Sequence, residues 1–114
     1  MTDCIFCRIG AGEVPAPVIF ETDSVLAFHD MNPVAPHHVL VIPRRHIATL
    51  GEAAPEDREL LGDMMLAGAE VARQLGFEKN GYRTVLNCNR DGGQSVYHIH
   101  LHVLGGRNLS WPPG

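Results

Sequence analysis

The sequence lacks the features that mark nucleic-acid-binding and membrane-inserted proteins. Its nine lysines and arginines are scattered among thirteen acidic residues, and the net charge is −4. Because a nucleic-acid polymer is bound through a concentrated basic surface, we expect no polymer substrate. The first ten residues, MTDCIFCRIG, contain neither a positively charged start nor a long apolar run. We therefore expect no signal peptide and no membrane span.

Cysteine is scarce as well, and its spacing is informative. The three cysteines are Cys4, Cys7 and Cys88. An odd number argues against a disulfide framework and favours a reducing, cytoplasmic compartment. Cys4 and Cys7 are too close in sequence for an easy disulfide, but they suit a shared metal. A thioredoxin-like redox pair fits poorly, because no strand–helix unit surrounds them. We assign no role to Cys88.

What the chain does have is enough apolar residues for one core. Hydrophobic residues make up 45% of 114 residues, which predicts one domain over residues 1–114. The spacing of apolar residues predicts an α+β fold, with about five strands in a mostly antiparallel sheet, one long helix and a short N-terminal helix. We place the short helix at 5–10, the strands at 18–21, 24–29, 38–43, 82–87 and 97–104, and the long helix at 55–75. Gly62 and Gly68 lower the propensity of this helix, so each predicts a close contact.

The densest chemistry lies in HIHLHVL, residues 98–104. In a strand, His98, His100 and His102 share one face, and the apolar residues between them face the core. Three readings are open: solvated histidines, a metal site, or a nucleophile held by its neighbours. The preceding DGGQS segment favours the nucleophile, because glycines let backbone N–H groups approach a phosphate and Ser95 adds a hydroxyl donor.

These residues resemble a known family. GGQSVYHIHLHVLGGR resembles the histidine triad signature, in which histidines alternate with apolar residues. AFHDMNPVAPHHVLVIPRRHI resembles the second block of that family, and the terminal WPPG resembles its Hint branch, the purine nucleoside phosphoramidases. The resemblance covers nearly the whole chain and implies a HIT-like fold.

The resemblance also implies a reaction. His100 would attack the α-phosphorus of an AMP- or GMP-amine, and water would then release the nucleoside monophosphate from a nucleotidyl-histidine. His102, His38 and Ser95 would assist this catalysis. Asp30 would accept from the ribose hydroxyls, although it could instead form a turn. The phosphate would lie against Asn87, Gly93, Gln94 and Val96, and the base against Ile5, Phe6, Ile9, Phe28, His29, Met31 and Leu40. Phe28 and Leu40 could equally be core residues, and Asn87 a turn cap.

A structural zinc ion is implied by the same resemblance. Some relatives hold zinc with two cysteines, a histidine after the second block and the first triad histidine, and the matching residues here are Cys4, Cys7, His46 and His98. Such a site would join the N-terminal segment to the strand that carries His100.

Other functions remain open at this point. The chain could hydrolyse dinucleoside polyphosphates, bind nucleotides as a scaffold with weak turnover, or hold a catalytic metal on the triad. We also expect a homodimer that pairs the same helix and the same strand, 82–87, from both chains. Trp111 would then pack near the active site of the partner. His37 has no assigned role, and we expect it to be exposed.

Overall fold

The strands form one antiparallel sheet in the computed structural model, which describes residues 3–114. They are β1 Val18–Glu21, β2 Val25–His29, β3 His37–Pro43, β4 Tyr82–Val85 and β5 Leu101–Gly105. Their spatial order is β1-β2-β3-β5-β4. The strand β3, which is apolar from Val39 to Pro43, is therefore central, as a strand buried on both faces should be.

Three α-helices accompany the sheet: α1 Ile5–Gly10, α2 Arg58–Gln74 and α3 Asn89–Gly92. A 3-10 turn, Pro55–Asp57, precedes α2, and Pro55 suits this start because it has no N–H to satisfy. The α+β prediction is confirmed, including the long helix and the short N-terminal helix. No helix within residues 3–114 is long and apolar enough to cross a membrane.

The helix α2 packs on one face of the sheet. The buried residues of this core alternate along the strands, and they include Val25, Ala27, Val39, Val41, Leu101 and Val103. Gly68 of α2 lies so close to β5 that an added Cβ would stand 3.3 Å from both Leu101 Cδ2 and Val103 Cγ2. The predicted close contact is thus confirmed for Gly68. It is wrong for Gly62, where an added Cβ would meet nothing within 4 Å.

The other face of the sheet carries a second apolar cluster, formed by Phe6 of α1 with Leu26, Phe28, Leu40 and Ile42. This cluster attaches the N-terminal helix to the sheet. The alternation of β2 and β3 therefore gives each strand two buried faces, one against α2 and one against α1.

Two predictions near the histidines need correction. The last strand begins at Leu101 rather than at residue 97, because Ile99 donates its N–H to Ile47 O at 2.8 Å and not to a neighbouring strand. The alternation nevertheless persists, and Ile99 is fully buried on the α2 side. His37 is not simply exposed, because its ring stacks on Phe77 at 4.5 Å between centroids.

Candidate active site and metal site

His100 is held in one tautomer by the backbone beside it. Its Nδ1 lies 2.8 Å from His98 O, and because a carbonyl only accepts, Nδ1 carries the hydrogen. Nε2 of a neutral His100 therefore keeps its lone pair. The ring is 4% exposed and contacts the edge of Phe6 at 5.1 Å. The residue thus offers one nucleophilic nitrogen in a fixed orientation.

His102 is fixed in the opposite tautomer by His38. The N–H of Val34 donates to Nδ1 of His38 at 3.1 Å, so Nε2 of neutral His38 carries the hydrogen. That Nε2 donates to Nδ1 of His102 at 2.9 Å. The remaining nitrogen of His102, Nε2, is consequently an N–H donor. Register explains the contact, because His38 pairs with Leu104 and Leu40 with His102, which makes the two histidines diagonal neighbours.

Burial keeps these imidazoles neutral. It lowers the pKa of His102 to about 4, helped by the nearby His100 and His38 and opposed by the carboxylate of Asp30. Burial also lowers the pKa of His38, again against Asp30. Near pH 7, His102 is therefore a neutral hydrogen-bond donor rather than a cation.

Asp30 follows β2 and is tied to His38 twice. Its N–H donates to His38 O at 2.9 Å, and its Oδ2 lies 3.3 Å from His38 Nε2. Its Oδ1 accepts from Asn32 N at 2.7 Å, which is the turn-forming role that was the alternative to ribose binding. The turn role leaves lone pairs on both oxygens, so the two roles are compatible.

The loop that enters β5 is folded around Gln94. Gly93 ends α3 in the left-handed region with φ 83°, a conformation that favours glycine. The Gln94 side chain accepts from Asn89 N at 2.8 Å and donates to Ala48 O and Val96 O at 2.7 and 3.0 Å. Its own N–H donates to Asn89 O at 3.0 Å. Because all these donors are engaged, Gln94 shapes the loop and has none left for a phosphate.

The other predicted phosphate contacts lie around this loop. Ser95 is exposed, and Val96 is half-buried against the apolar cluster on the α1 face. Asn87 is half-buried, and its backbone lies 3.8 Å from the position of an added Cβ on Gly92. The cap position of α3 belongs to Cys88, so the alternative role of Asn87 as a cap does not apply there.

An apolar cavity of about 310 Å³ lies beside part of the predicted base pocket. Its lining residues are Ile9, Pro15, Ala16, Pro17, Phe28 and Met31. Phe6 and Leu40 are instead buried in the cluster behind it, and the exposed Ile5 and His29 are not among the lining residues. The prolines were missed because their sequence signal is chain breaking. A larger cavity of about 680 Å³ beside Phe77 contains no triad histidine.

Cys4, Cys7, His46 and His98 converge as predicted for a metal site. Their ligand atoms all lie within 4.8 Å of one another. The sulfur–nitrogen separations are 3.3 to 3.5 Å, and the two Nδ1 atoms are 3.2 Å apart. Ligands at zinc-bond lengths around a tetrahedral centre are about 3.3 to 3.8 Å apart. His98 also donates Nε2–H to Pro43 O at 2.8 Å, which turns the lone pair of Nδ1 towards the cysteines.

Asp30, His38 and His102 form a second group whose ligand-type atoms lie within 4.8 Å of one another. This group does not fit a metal, because Nε2 of His38 carries a hydrogen that points into the cluster. If that hydrogen moved to Nδ1, it would face the N–H of Val34, whose nitrogen lies 3.1 Å away, and two donors would point at each other. The geometry is therefore that of a hydrogen-bond relay, and it argues against a catalytic metal on these residues.

The antiparallel sheet packed on a long helix, with His98, His100 and His102 alternating along β5 and the segment before it, is the arrangement of the histidine triad proteins. The chain belongs to the HIT domain family, whose model it matches over residues 11–109. An uncharacterized HIT-like protein of Synechococcus elongatus is 51% identical over 112 residues, which cover 98% of this chain and 97% of that protein.

Solved structures agree with this assignment. A HIT family hydrolase from Legionella pneumophila superposes with a TM-score of 0.96 at 50% identity, over 98% of this chain and 100% of that one. A zinc-bound histidine triad family protein from Mycobacterium smegmatis superposes with a TM-score of 0.78 at 34% identity, over 93% of this chain and 76% of that one.

Proposed function

We propose that this chain hydrolyses purine nucleoside 5′-phosphoramidates through a nucleotidyl-His100 intermediate, as in the Hint branch. The observation that carries the proposal is the order of hydrogens along the histidines. Nδ1–H of His100 is used by His98 O, which leaves Nε2 as a lone pair. Nδ1 of His102 is used by His38, which leaves Nε2 as a donor. A nucleophilic nitrogen and an N–H donor for the phosphate oxygens thus lie on adjacent rings, whose centroids are 4.9 Å apart.

In the first step, Nε2 of His100 forms a bond to the α-phosphorus while the bond from phosphorus to the amine nitrogen breaks. The amine takes up one proton as it leaves. In the second step, water loses a proton as it attacks the same phosphorus, the phosphorus–His100 bond breaks, and the lone pair returns to Nε2. Splitting one displacement into two lowers the barrier of each, and the neutral N–H of His102 can stabilise phosphate oxygens in both.

The nucleoside would lie beside the triad. The apolar cavity at Phe28 and Met31 suits a purine base, and Asp30 can accept from two neighbouring ribose hydroxyls. Ser95, Asn87 and the backbone of Val96 would contact the phosphate. The N–H of Gly93 donates to Arg90 O at 3.0 Å, so Gly93 would contribute a close approach of the backbone and not a free donor. Gln94 would orient this loop from behind, since its own donors are engaged.

The proposal includes a structural zinc ion held by Cys4, Cys7, His46 and His98. The ligand separations and the Nε2–H of His98 support it. When bound, the metal would supply folding energy by joining α1 to the backbone that precedes β5. Since His98 O also accepts from Nδ1 of His100, the same site would help to orient the nucleophile.

The proposal also includes a homodimer and a cytoplasmic location. Within residues 3–114, β4 pairs with β5 alone and lies at an edge of the sheet, and such an edge needs cover. Exposed Met65 and Leu66 on α2 add apolar surface. A two-fold axis would bring the same elements of both chains together.

A panel of substrates tests the function. AMP–amine and GMP–amine conjugates should be cleaved with a higher kcat/KM than dinucleoside polyphosphates. If the dinucleoside polyphosphates had the higher kcat/KM, the proposed substrate class would be wrong. Tight AMP binding without turnover of any conjugate would indicate a nucleotide-binding scaffold instead.

A further inference from the structure

The carboxylate of Asp30 is more closely engaged with the histidines than ribose recognition requires. Its Oδ1 is fixed by the N–H of Asn32 at 2.7 Å. That bond, together with the bond from its own N–H to His38 O at 2.9 Å, aims Oδ2 at His38 Nε2, 3.3 Å away. The side chains of Asp30 and His38 are 18% and 5% exposed, so water screens this contact weakly.

The carboxylate of Asp30 lies beside the hydrogen bond that joins the two histidines. Nε2–H of His38 donates to Nδ1 of His102 at 2.9 Å, and Oδ2 of Asp30 lies 3.3 Å from the same Nε2. The hydrogen cannot leave Nε2 for Nδ1, because the N–H of Val34 occupies that side. The contact with Asp30 is therefore electrostatic, and the carboxylate stabilises positive charge on the pair.

We propose that Asp30 is a positioning residue for the His38–His102 pair, and that ribose binding acts on the pair through this carboxylate. The inference rests on the proposed function, because it requires a nucleotide whose ribose reaches Asp30. Hydroxyl groups of the ribose would donate to the carboxylate whose Oδ2 faces His38, and these bonds would weaken its stabilisation of positive charge on the pair. The site would thereby couple recognition of the sugar to the proton affinity of the histidine that contacts the phosphate.

The electrostatics agree with this geometry. Asp30 raises the pKa of both His38 and His102 against the lowering effect of burial. The other titratable group facing the pair is His100, which lowers the pKa of His102. Asp30 is thus the one counter-charge identified for this pair within residues 3–114. Occupying it with ribose hydroxyls should make a proton on the pair less stable.

Ring signals of His38 and His102 in NMR titrations test the coupling. In the wild-type protein, their titration midpoints should be lower with AMP bound than with 2′,3′-dideoxy-AMP bound, since both ligands carry the phosphate and only AMP carries the hydroxyls. In Asp30→Asn, the midpoints of the free protein should fall, and the difference between the two ligands should vanish. Asp23→Asn, which removes an exposed carboxylate elsewhere, should leave both results unchanged.

Each outcome decides something. Equal midpoints with both ligands in the wild-type protein would overturn the inference, and this comparison requires no variant to fold. A difference that persists in Asp30→Asn would overturn it too. If neither nucleotide perturbs the signals of His100 and His102, the proposed function fails rather than the coupling.

Discussion

At Cys4, Cys7, His46 and His98, four metal-binding atoms lie within 4.8 Å of one another, whereas at Asp30, His38 and His102 hydrogen-bond donors and acceptors alternate. Both groups bring together residue types that bind metals. The difference lies in the outer nitrogen of one histidine in each group. His98 donates outwards to the carbonyl of Pro43, while His38 accepts from the amide of Val34. One backbone group on the far side of each ring therefore distinguishes the proposed metal site from the hydrogen-bond relay.

Replacing His100 should have the largest effect on activity and the smallest on the metal group. We expect His100→Gly to lower turnover by roughly three orders of magnitude or more, as loss of a covalent nucleophile does. AMP binding and zinc content should remain near wild type. Acid quenching of the wild-type protein with labelled substrate should trap a nucleotide on His100.

His37 supplies the matched control, because it lies beside Phe77 and outside the triad. His37→Gly should keep most of the turnover. Near-normal turnover in His100→Gly would end the nucleophile proposal.

Removing a metal ligand should have the opposite result, with a large effect on zinc content and stability and a smaller one on turnover. Purified protein should contain about one zinc per chain. Cys4→Ser or Cys7→Ser should lose it and lower Tm by several degrees or more, since about 1 kcal/mol corresponds to roughly 4 °C or more in a domain of this size. Turnover should fall less than in His100→Gly, because the metal would be structural.

Cys88→Ser is the control for the metal site, and it should retain both zinc and Tm. Zinc content by elemental analysis and Tm by calorimetry are the two measurements. Metal-free protein with an unchanged Tm would contradict the proposed site.

Low pH should reduce the free energy of unfolding, because His102 of the relay is buried in its neutral form. The pKa of His102 is lowered from 6.5 to about 4 by burial, so the folded protein binds fewer protons there than the unfolded chain. The stabilising effect of high pH is then complete above about pH 6.5 and is lost progressively down to about pH 4. In urea unfolding, His102→Gln should show a shallower loss of stability over this interval. His37→Gln should keep the wild-type slope, and an identical slope in both variants would contradict the assignment.

The sequence predicted the parts of the molecule that depend on local patterns. Alternation predicted that Ile99 and Leu101, between the histidines, face the core, and both are buried in the cluster that contains α2. The convergence of Cys4 and Cys7 with His46 and His98 followed from the family resemblance, and the structure brings these residues together.

What the sequence did not predict depends on contacts between distant segments. Gln94 appeared to be a phosphate contact, but it binds Ala48, which is 46 residues away. The onset of β5 at Leu101 follows from the bond between Ile99 and Ile47. The stacking of His37 on Phe77 joins β3 to the residues after α2. These partners are distant in sequence, and no local pattern contains them. The tautomers of the histidines and the shape of the loop could therefore be derived only once the fold was known.

The smallest expected effect concerns the C-terminal tail, which lies beside β4 rather than in either histidine group. Nη2 of Arg83 donates to the carbonyls of Leu109 and Ser110 at 3.3 and 2.9 Å. Its guanidinium lies 5.7 Å from the centre of the Trp111 ring. The indole is nevertheless 79% exposed, which is costly for a large aromatic side chain unless another surface covers it. In the proposed homodimer, the partner chain would cover it.

Two measurements address the dimer and the tail separately. Light scattering should give a mass near twice 12.5 kDa, and a monomer in solution would contradict the dimer. Deleting residues 110–114 should change the preference among amine leaving groups by a few-fold without abolishing cleavage, because the tail would contact the leaving amine and not the phosphorus. Trp111→Ala should reproduce this change, since the indole is the largest apolar side chain among residues 110–114. If both variants keep the wild-type order of substrates, the tail has no part in choosing the leaving group, and the relay and the nucleophile alone determine the reaction.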